Sequence, residues 1–252
     1  MNEQKQCERW LIVTYRPNSL FSLRMSSSTS SGGKTLFVPT PWAFKIALVD
    51  ASFRVQGKEL ALKVFDLFKG RNIRFNPPEH LVVNNTFIKI KREPKVKKPE
   101  EPYISSIAFR EFCYYKGDLN IAVDIKDLSS EKITMISSVL AHINYLGKRG
   151  SFFQFVGIEV INELPQGFTI PETAFDDSFN PTQYGVVQFL DDIGEIGAKD
   201  LFERINTYSG KKVELGKHRV FKPHFLPYKM VSSSKGYSYY RNNYNRRGFV
   251  RT

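Results

Sequence analysis

The sequence predicts an α+β fold, and three observations carry that expectation. Short β-branched and aromatic runs recur, two capped amphipathic helical segments lie among them, and the two kinds of segment alternate in a definite order. Trp10-Leu11-Ile12-Val13-Thr14-Tyr15 reads as the first strand. A long polar loop follows, with Ser26-Ser27-Ser28-Thr29-Ser30-Ser31-Gly32-Gly33-Lys34 at its centre. Thr40 can then cap a helix whose first turn takes Pro41. Phe44, Ala47, Leu48 and Ala51 keep the three-four spacing of one buried face. A second short helix is expected from Lys58 to Lys69, stopped by Gly70.

Leu81 to Arg92 reads as a long strand whose end alternates Lys89, Ile90, Lys91, which places the lysines on one face. The segment from Glu93 to Pro102 holds three prolines and cannot be regular structure. Tyr103 to Tyr115 resumes as strand, so the chain over about 81–115 is expected to form a hairpin with a charged, projecting tip. Leu119 to Ile125 alternates as a further strand. The clearest helix runs from about Ser129 to Tyr145, with Ser129 as cap, Glu131 at the positive end, and a stripe of Ile133, Ile136, Leu140 and Ile143. Gly147 ends it, and Phe152 to Ile161 follows as strand. This order is what a βαββαβ ferredoxin-like (RRM-like) unit requires. Residues 1–164 are therefore expected to form that domain, with the hairpin as a thumb. Residues 165–252 form a C-terminal extension, loop-rich with a short helix near Asp200 to Asn206. Its Tyr/Arg-rich tail from Ser232 can be unfolded alone.

Charge narrows the function. Lys and Arg number 37 against 25 Asp and Glu, a net +12, and the 41% hydrophobic content suffices for a real core. The start of the chain is polar, no apolar run approaches a membrane span, and no basic amphipathic helix is visible. Cys7 and Cys113 stand in no metal or redox spacing and read as free thiols of a cytoplasmic protein. Between residues 151 and 203 ten acids face one base, whereas between 211 and 252 eleven bases face one acid. Segregation this strong suggests two contact faces, the basic one for nucleic acid.

Four constellations could hold RNA. The loop from Arg24 through Ser28 to Lys34 offers small residues and two cations, with Trp42 or Phe37 to stack a base and Lys45 one helical turn on. It is no Walker loop, since the upstream glycine is missing. The same residues also suit a plain surface loop with Trp42 in the core. Tyr145-Leu146-Gly147-Lys148-Arg149-Gly150-Ser151 could clamp a phosphate, or be an ordinary glycine stop with solvated cations. The hairpin tip carries six bases in ten residues, among them Lys89, Lys91 and Arg92, as a finger over a strand or a solvated edge guard. The tail interleaves Tyr237, Tyr239, Tyr240, Tyr244 and Phe249 with Arg241, Arg246, Arg247 and Arg251, a composition suited to single strands or to a solubilising end. Catalysis has little support. His80, His142, His218 and His224 form no metal spacing or triad signature, and His142 reads as structural. Only His218 and His224, among cations and beside Tyr228, could serve metal-free RNA cleavage. No metal or cofactor is expected.

Two stretches together resemble the Cas-five family of CRISPR-associated RAMP proteins. Phe21-Ser22-Leu23-Arg24, followed by Thr35-Leu36-Phe37-Val38-Pro39-Thr40-Pro41, is similar to the family's N-terminal pattern leading into its first helix. His142-Ile143-Asn144-Tyr145-Leu146-Gly147-Lys148 is similar to its Tyr-Leu-Gly turn after the second helix. The resemblance spans about Trp10 to Ile161; the acidic stretch and the tail have no counterpart in it. It implies a non-catalytic subunit, present once in a type I surveillance complex (Cascade). Such a subunit caps the 5′ handle of the guide RNA and contacts the backbone and large subunits, with target DNA near its PAM-proximal end. Arg24, Lys34, Lys148 and Arg149 then fall where handle contacts are expected. A metal-independent endoribonuclease that processes the guide precursor, or a backbone subunit, are the alternatives.

Overall fold

The computed structural model describes residues 8–25, 28–29, 32–96, 100, 102–148, 150–174, 185–206 and 208–242. It is a mixed α+β structure made mostly of strands. A four-stranded sheet joins β1 (Trp10–Pro17), β5 (Ile73–Asn76), β8 (Leu119–Asp124) and β9 (Phe153–Ile161) in the order β5-β8-β1-β9, every pair antiparallel. β1 lies inside this sheet and is buried on both faces, which is why its sequence is apolar without alternation. Leu11, Val13 and Tyr15 enter the main core, while Trp10 and Ile12 pack with Ala122 and Phe168 on the other side.

Helix α1 (Pro41–Gln56) starts as expected, with Pro41 in its first turn and the Thr40 hydroxyl accepting from the Ala43 N–H at 3.1 Å. It stops at Gly57, and α2 (Lys58–Phe68) follows at once. Helix α3 is shorter than expected, Ser130–Leu140, with Ser129 as its cap; Ile133, Ile136, Val139 and Leu140 reach the core with Phe44 and Leu48 of α1.

The long hairpin is present as β6 (His80–Arg92) and β7 (Ile104–Lys116), in register from His80 opposite Lys116 to Arg92 opposite Ile104. Its base is anchored by Leu81, Val83, Cys113 and Tyr115 in the main core. Short strands β2 (Leu23–Arg24) and β4 (Thr35–Leu36) pair, while β3 (Gly32–Gly33) runs parallel to β7.

The C-terminal segment departs from expectation. It folds into β10 (Ile170–Pro171), β11 (Val186–Ile193), α4 (Leu201–Arg204), β12 (Arg219–Leu226), β13 (Tyr228–Ser233) and β14 (Tyr237–Asn242). β10, β12 and β11 form one sheet, and β14 pairs with β6, extending the hairpin's sheet. Leu190, Leu226 and Tyr228 share the main core. The start of the tail is thus ordered strand rather than loose chain: Tyr240 packs on Phe37 at 4.6 Å between ring centroids, and Tyr239 bonds His80 Nδ1 at 2.7 Å. Arg246, Arg247, Arg251, Tyr244, Phe249 and Cys7 lie outside the described residues.

The acids of β11 are not a contact face. Successive strand residues point to opposite faces. Asp192 holds the Lys45 ammonium at 2.6 Å, and Asp191 is buried against the Arg219 guanidinium. Lys45 is 2% exposed and also donates to the Lys69 carbonyl at 3.1 Å, so it is a core cation of α1 and not an RNA contact. Burial pushes its pKa down, and Asp192 opposes that shift.

Two outcomes follow from this packing. Lys45→Ala should lower the unfolding free energy by about 3 kcal/mol, because it strands Asp192, and Lys45→Met should cost less; urea denaturation reads both. Burial pushes the Cys113 thiol from its ordinary 9.0 up to about 12. A folded-state value above the unfolded one means the associated stability is complete below pH 9 and lost as the pH rises towards 12. In a Cys7→Ser variant the Cys113 thiol should resist a thiol reagent at pH 8 until urea unfolds the chain.

Candidate nucleic-acid interface

The two motifs singled out in the sequence meet at the N-terminal end of α1. In the first, Leu23 and Arg24 are held against Thr35 and Leu36. The Leu23 N–H donates to the buried Thr35 hydroxyl at 3.0 Å, and the Thr35 N–H donates to the Glu111 carboxylate at 2.9 Å. In the second, the chain leaving α3 turns at Gly147 and returns through Ser151. The Leu146 N–H donates to the Ser151 carbonyl at 3.2 Å, and the buried Ser151 hydroxyl donates to the Ser22 carbonyl at 3.2 Å, which ties the loops together. Gly147 has φ 74°, and a Cβ there would sit 3.2 Å from the Leu23 side chain. Helix α3 has already ended at Leu140, so Gly147 is not its stop, as the sequence led one to expect; its left-handed backbone turns the loop and lets the two loops touch.

Between them lies a cavity of about 430 Å³, lined by Arg24, Trp42, Tyr145, Lys148, Asp191 and Arg219 among others. Arg24 and Lys148 are exposed, whereas Trp42 and Tyr145 are half-buried. The Arg219 guanidinium lies 5.4 Å from the Trp42 ring centroid and is fixed from behind by Asp191. Cations flanking half-exposed rings are what a single-stranded nucleotide needs, phosphate on one and base on the other. Arg24 also donates from one nitrogen to the Ser28 and Thr29 carbonyls, both at 2.7 Å, so it orders its own loop.

The other expected contacts are distributed as follows. Lys34 is exposed but does not line the cavity, and neither does Ser28, whose carbonyl accepts from Arg24 and whose N–H donates to the Met25 carbonyl. Phe37 is buried against Tyr228 and Tyr240 and is not available to a base. Lys89 and Lys91 are exposed on one face of the hairpin with Phe87, as the alternation predicts, and Arg92 is exposed near the tip. Arg241 is engaged with Glu79 at 2.7 Å inside the β6–β14 sheet. Arg149 lies outside the described residues. His142 is exposed rather than core, its Nδ1 2.8 Å from the Ser138 carbonyl.

The sequence reading missed Arg219 and Asp191 as a pocket pair. Their signal is the apolar alternation of Val187, Phe189 and Phe221, which marks two strands but is interrupted by Pro223 and by the acids. Among the described residues no three His, Cys, Asp or Glu side chains cluster to hold a metal ion, and no helix is long and apolar enough to cross a membrane.

The fold and pocket define a mixed α+β chain with a cation-flanked, ring-lined cavity between two conformationally tied loops. In sequence it is homologous to the CRISPR-associated protein Cas5 of Archaeoglobus fulgidus, 28% identical over 206 residues, covering 81% of this chain and 86% of that one. The resemblance to the Cas-five family therefore holds over most of the chain. No family model matches. Among solved structures, a CRISPR protein from Archaeoglobus fulgidus aligns with 93% of this chain and 92% of its own at a TM-score of 0.43 and 10% identity. A chain of a CRISPR RNA-guided surveillance complex aligns with 86% and 88% at a TM-score of 0.42 and 15% identity.

Gly147→Ala should destabilise the fold by about 1–3 kcal/mol, since alanine must take a left-handed backbone and press on Leu23. Denaturant melts will read this, and Gly150→Ala, also left-handed (φ 98°) but with open space around its Cβ, separates strain from crowding.

Proposed function

We propose that the protein is a non-catalytic RNA-binding subunit of a type I CRISPR surveillance complex, present once per complex and capping the 5′ handle of the guide RNA. The observation that carries this reading is the convergence of the Arg24 loop and the Tyr145–Lys148 turn on Trp42. Handle capping needs those two loops to face one strand of RNA, and the homology to Cas5 supports the assignment. The finer fold reading goes with it. The strand order β5-β8-β1-β9, with α1 and α2 between β1 and β5 and α3 between β8 and β9, supports a ferredoxin-like βαββαβ unit. The β6–β7 hairpin is then its thumb, offering Lys89, Lys91 and Arg92 to guide RNA, to the backbone and large subunits, or to target DNA near the PAM-proximal end. The working compartment is the cytoplasm.

The surroundings of the histidines support a non-catalytic role over guide processing. A general base must reach the proton it removes. His218 is fully buried, with Nε2 3.2 Å from Asp200 and Nδ1 accepting from the Glu214 N–H at 3.1 Å. His224 is 2% exposed, and burial pushes its pKa below the usual imidazole value. The Tyr228 hydroxyl is buried and donates to the Pro78 carbonyl at 2.6 Å. None of the three presents a proton-transfer atom to solvent.

The test is incubation of the full chain with a repeat-containing guide precursor in EDTA across a salt series. The RNA should stay intact and bind with a log–log salt slope near −4, as for about six phosphates on a single strand. Arg24→Ala/Lys148→Ala should make that slope shallower by about 1.4. Cleavage that vanishes in His218→Ala/His224→Ala would replace this reading with the ribonuclease, and many copies bound per guide would replace it with a backbone subunit.

A further inference from the structure

The β11–β12 sheet exposes large apolar residues on one face while its other face is already buried. Inward, Gln188 and Leu190 of β11 and His224 and Leu226 of β12 are buried. Outward, Val187, Phe189 and Phe221 are 50%, 58% and 41% exposed. An antiparallel sheet with a wet face normally alternates apolar and polar residues, so rings at the wet positions need a reason. The register gives their arrangement: Val187 lies opposite Phe225, Phe189 opposite Pro223, and Asp191 opposite Phe221. Directly opposed residues of an antiparallel pair share a face. Phe221 therefore neighbours Asp191, the acid that fixes Arg219 in the cavity wall, and the apolar face begins where the cationic pocket ends.

We propose that this face is a stacking platform for the single-stranded guide RNA nucleotides that follow the one held in the pocket. The proposal rests on the RNA-capping reading above and adds to its cation-lined cavity a surface on which bases stack. Two observations select RNA as the occupant. The face is continuous with a cavity lined by the exposed cations Arg24 and Lys148, whose charge suits the phosphates of the same strand. The acids of β11 beside it are already neutralised by Arg219 and Lys45, so the platform does not repel a polyanion. Outward residues two apart on a strand stand nearly 7 Å apart, room for bases lying flat on successive rings. Aromatic rings exposed on a sheet take two or three bases in this way without reading their sequence.

The experiment uses the full-length protein and two fluorescent single-stranded RNAs, the 5′-terminal 4 and 12 nucleotides of the processed repeat. Phe189→Ala/Phe221→Ala is compared with Phe189→Tyr/Phe221→Tyr, melting temperatures being matched first. Wild type should hold the 12-mer more tightly than the 4-mer. The alanine variant should weaken 12-mer binding about tenfold for each ring removed, leave the 4-mer and the salt slope unchanged, and the tyrosine variant should restore it. If the alanine variant binds both RNAs like wild type, the platform is wrong while the capping reading stands, and the face belongs to a protein subunit. If wild type binds neither RNA, the capping reading fails and the platform with it.

Discussion

The arrangement depends on two adjacent carboxylates. Asp191 and Asp192 follow one another on β11 and so project to opposite faces of the sheet. Asp192 enters the interior and takes the Lys45 ammonium of α1, while Asp191 takes Arg219, which lies on the Trp42 ring at the start of the same helix. α1 is thereby fastened against β11, the edge strand of its sheet. That contact also sets the depth of the cavity, because Trp42, Asp191 and Arg219 are three of its walls. A buried ion pair contributes less to net stability than apolar packing would, but its partners are strongly specified once both are in place. Here that specificity decides how the C-terminal strands sit on the N-terminal core.

On this frame the pocket is a meeting of loops. Thr35 gathers Leu23 and Glu111, Ser151 reaches Ser22, and Gly147 brings the second loop down onto Leu23. The cations at the rim can move to a phosphate because they stand in solvent, whereas the rings are held half-buried and ready to receive a base. The outward rings of β11 and β12 continue the same surface.

Much of the N-terminal part was legible in the sequence because its elements bury one face each and carry their own stop signals. Thr40 and Pro41 start α1, Ser129 starts α3, and the lysine alternation on β6 placed Lys89 and Lys91 on a common face. The two loops of the site were legible as small, cation-bearing segments, although nothing in their spacing said that they touch. What was missed came from tertiary context. The acids of β11 read as part of a contact face, since a sequence does not display the distant Lys45 and Arg219 that neutralise them. Lys45 read as an RNA contact because of its charge, and it lies outside the stripe of Phe44, Ala47, Leu48 and Ala51; α1 is buried over a wider arc that also takes in Lys45, Val49 and Ser52. The tail read as loose chain from its polar composition, but its first residues gain β6 and β13 as neighbours and become a strand.

The most direct test of the central claim is photo-crosslinking in the assembled complex, with 4-thiouridine in the first nucleotides of the guide and the modified peptides mapped by mass spectrometry. The account predicts crosslinks from those 5′ nucleotides to the peptides holding Trp42 and Tyr145. Crosslinks confined to the hairpin, or spread evenly along the guide, would contradict it.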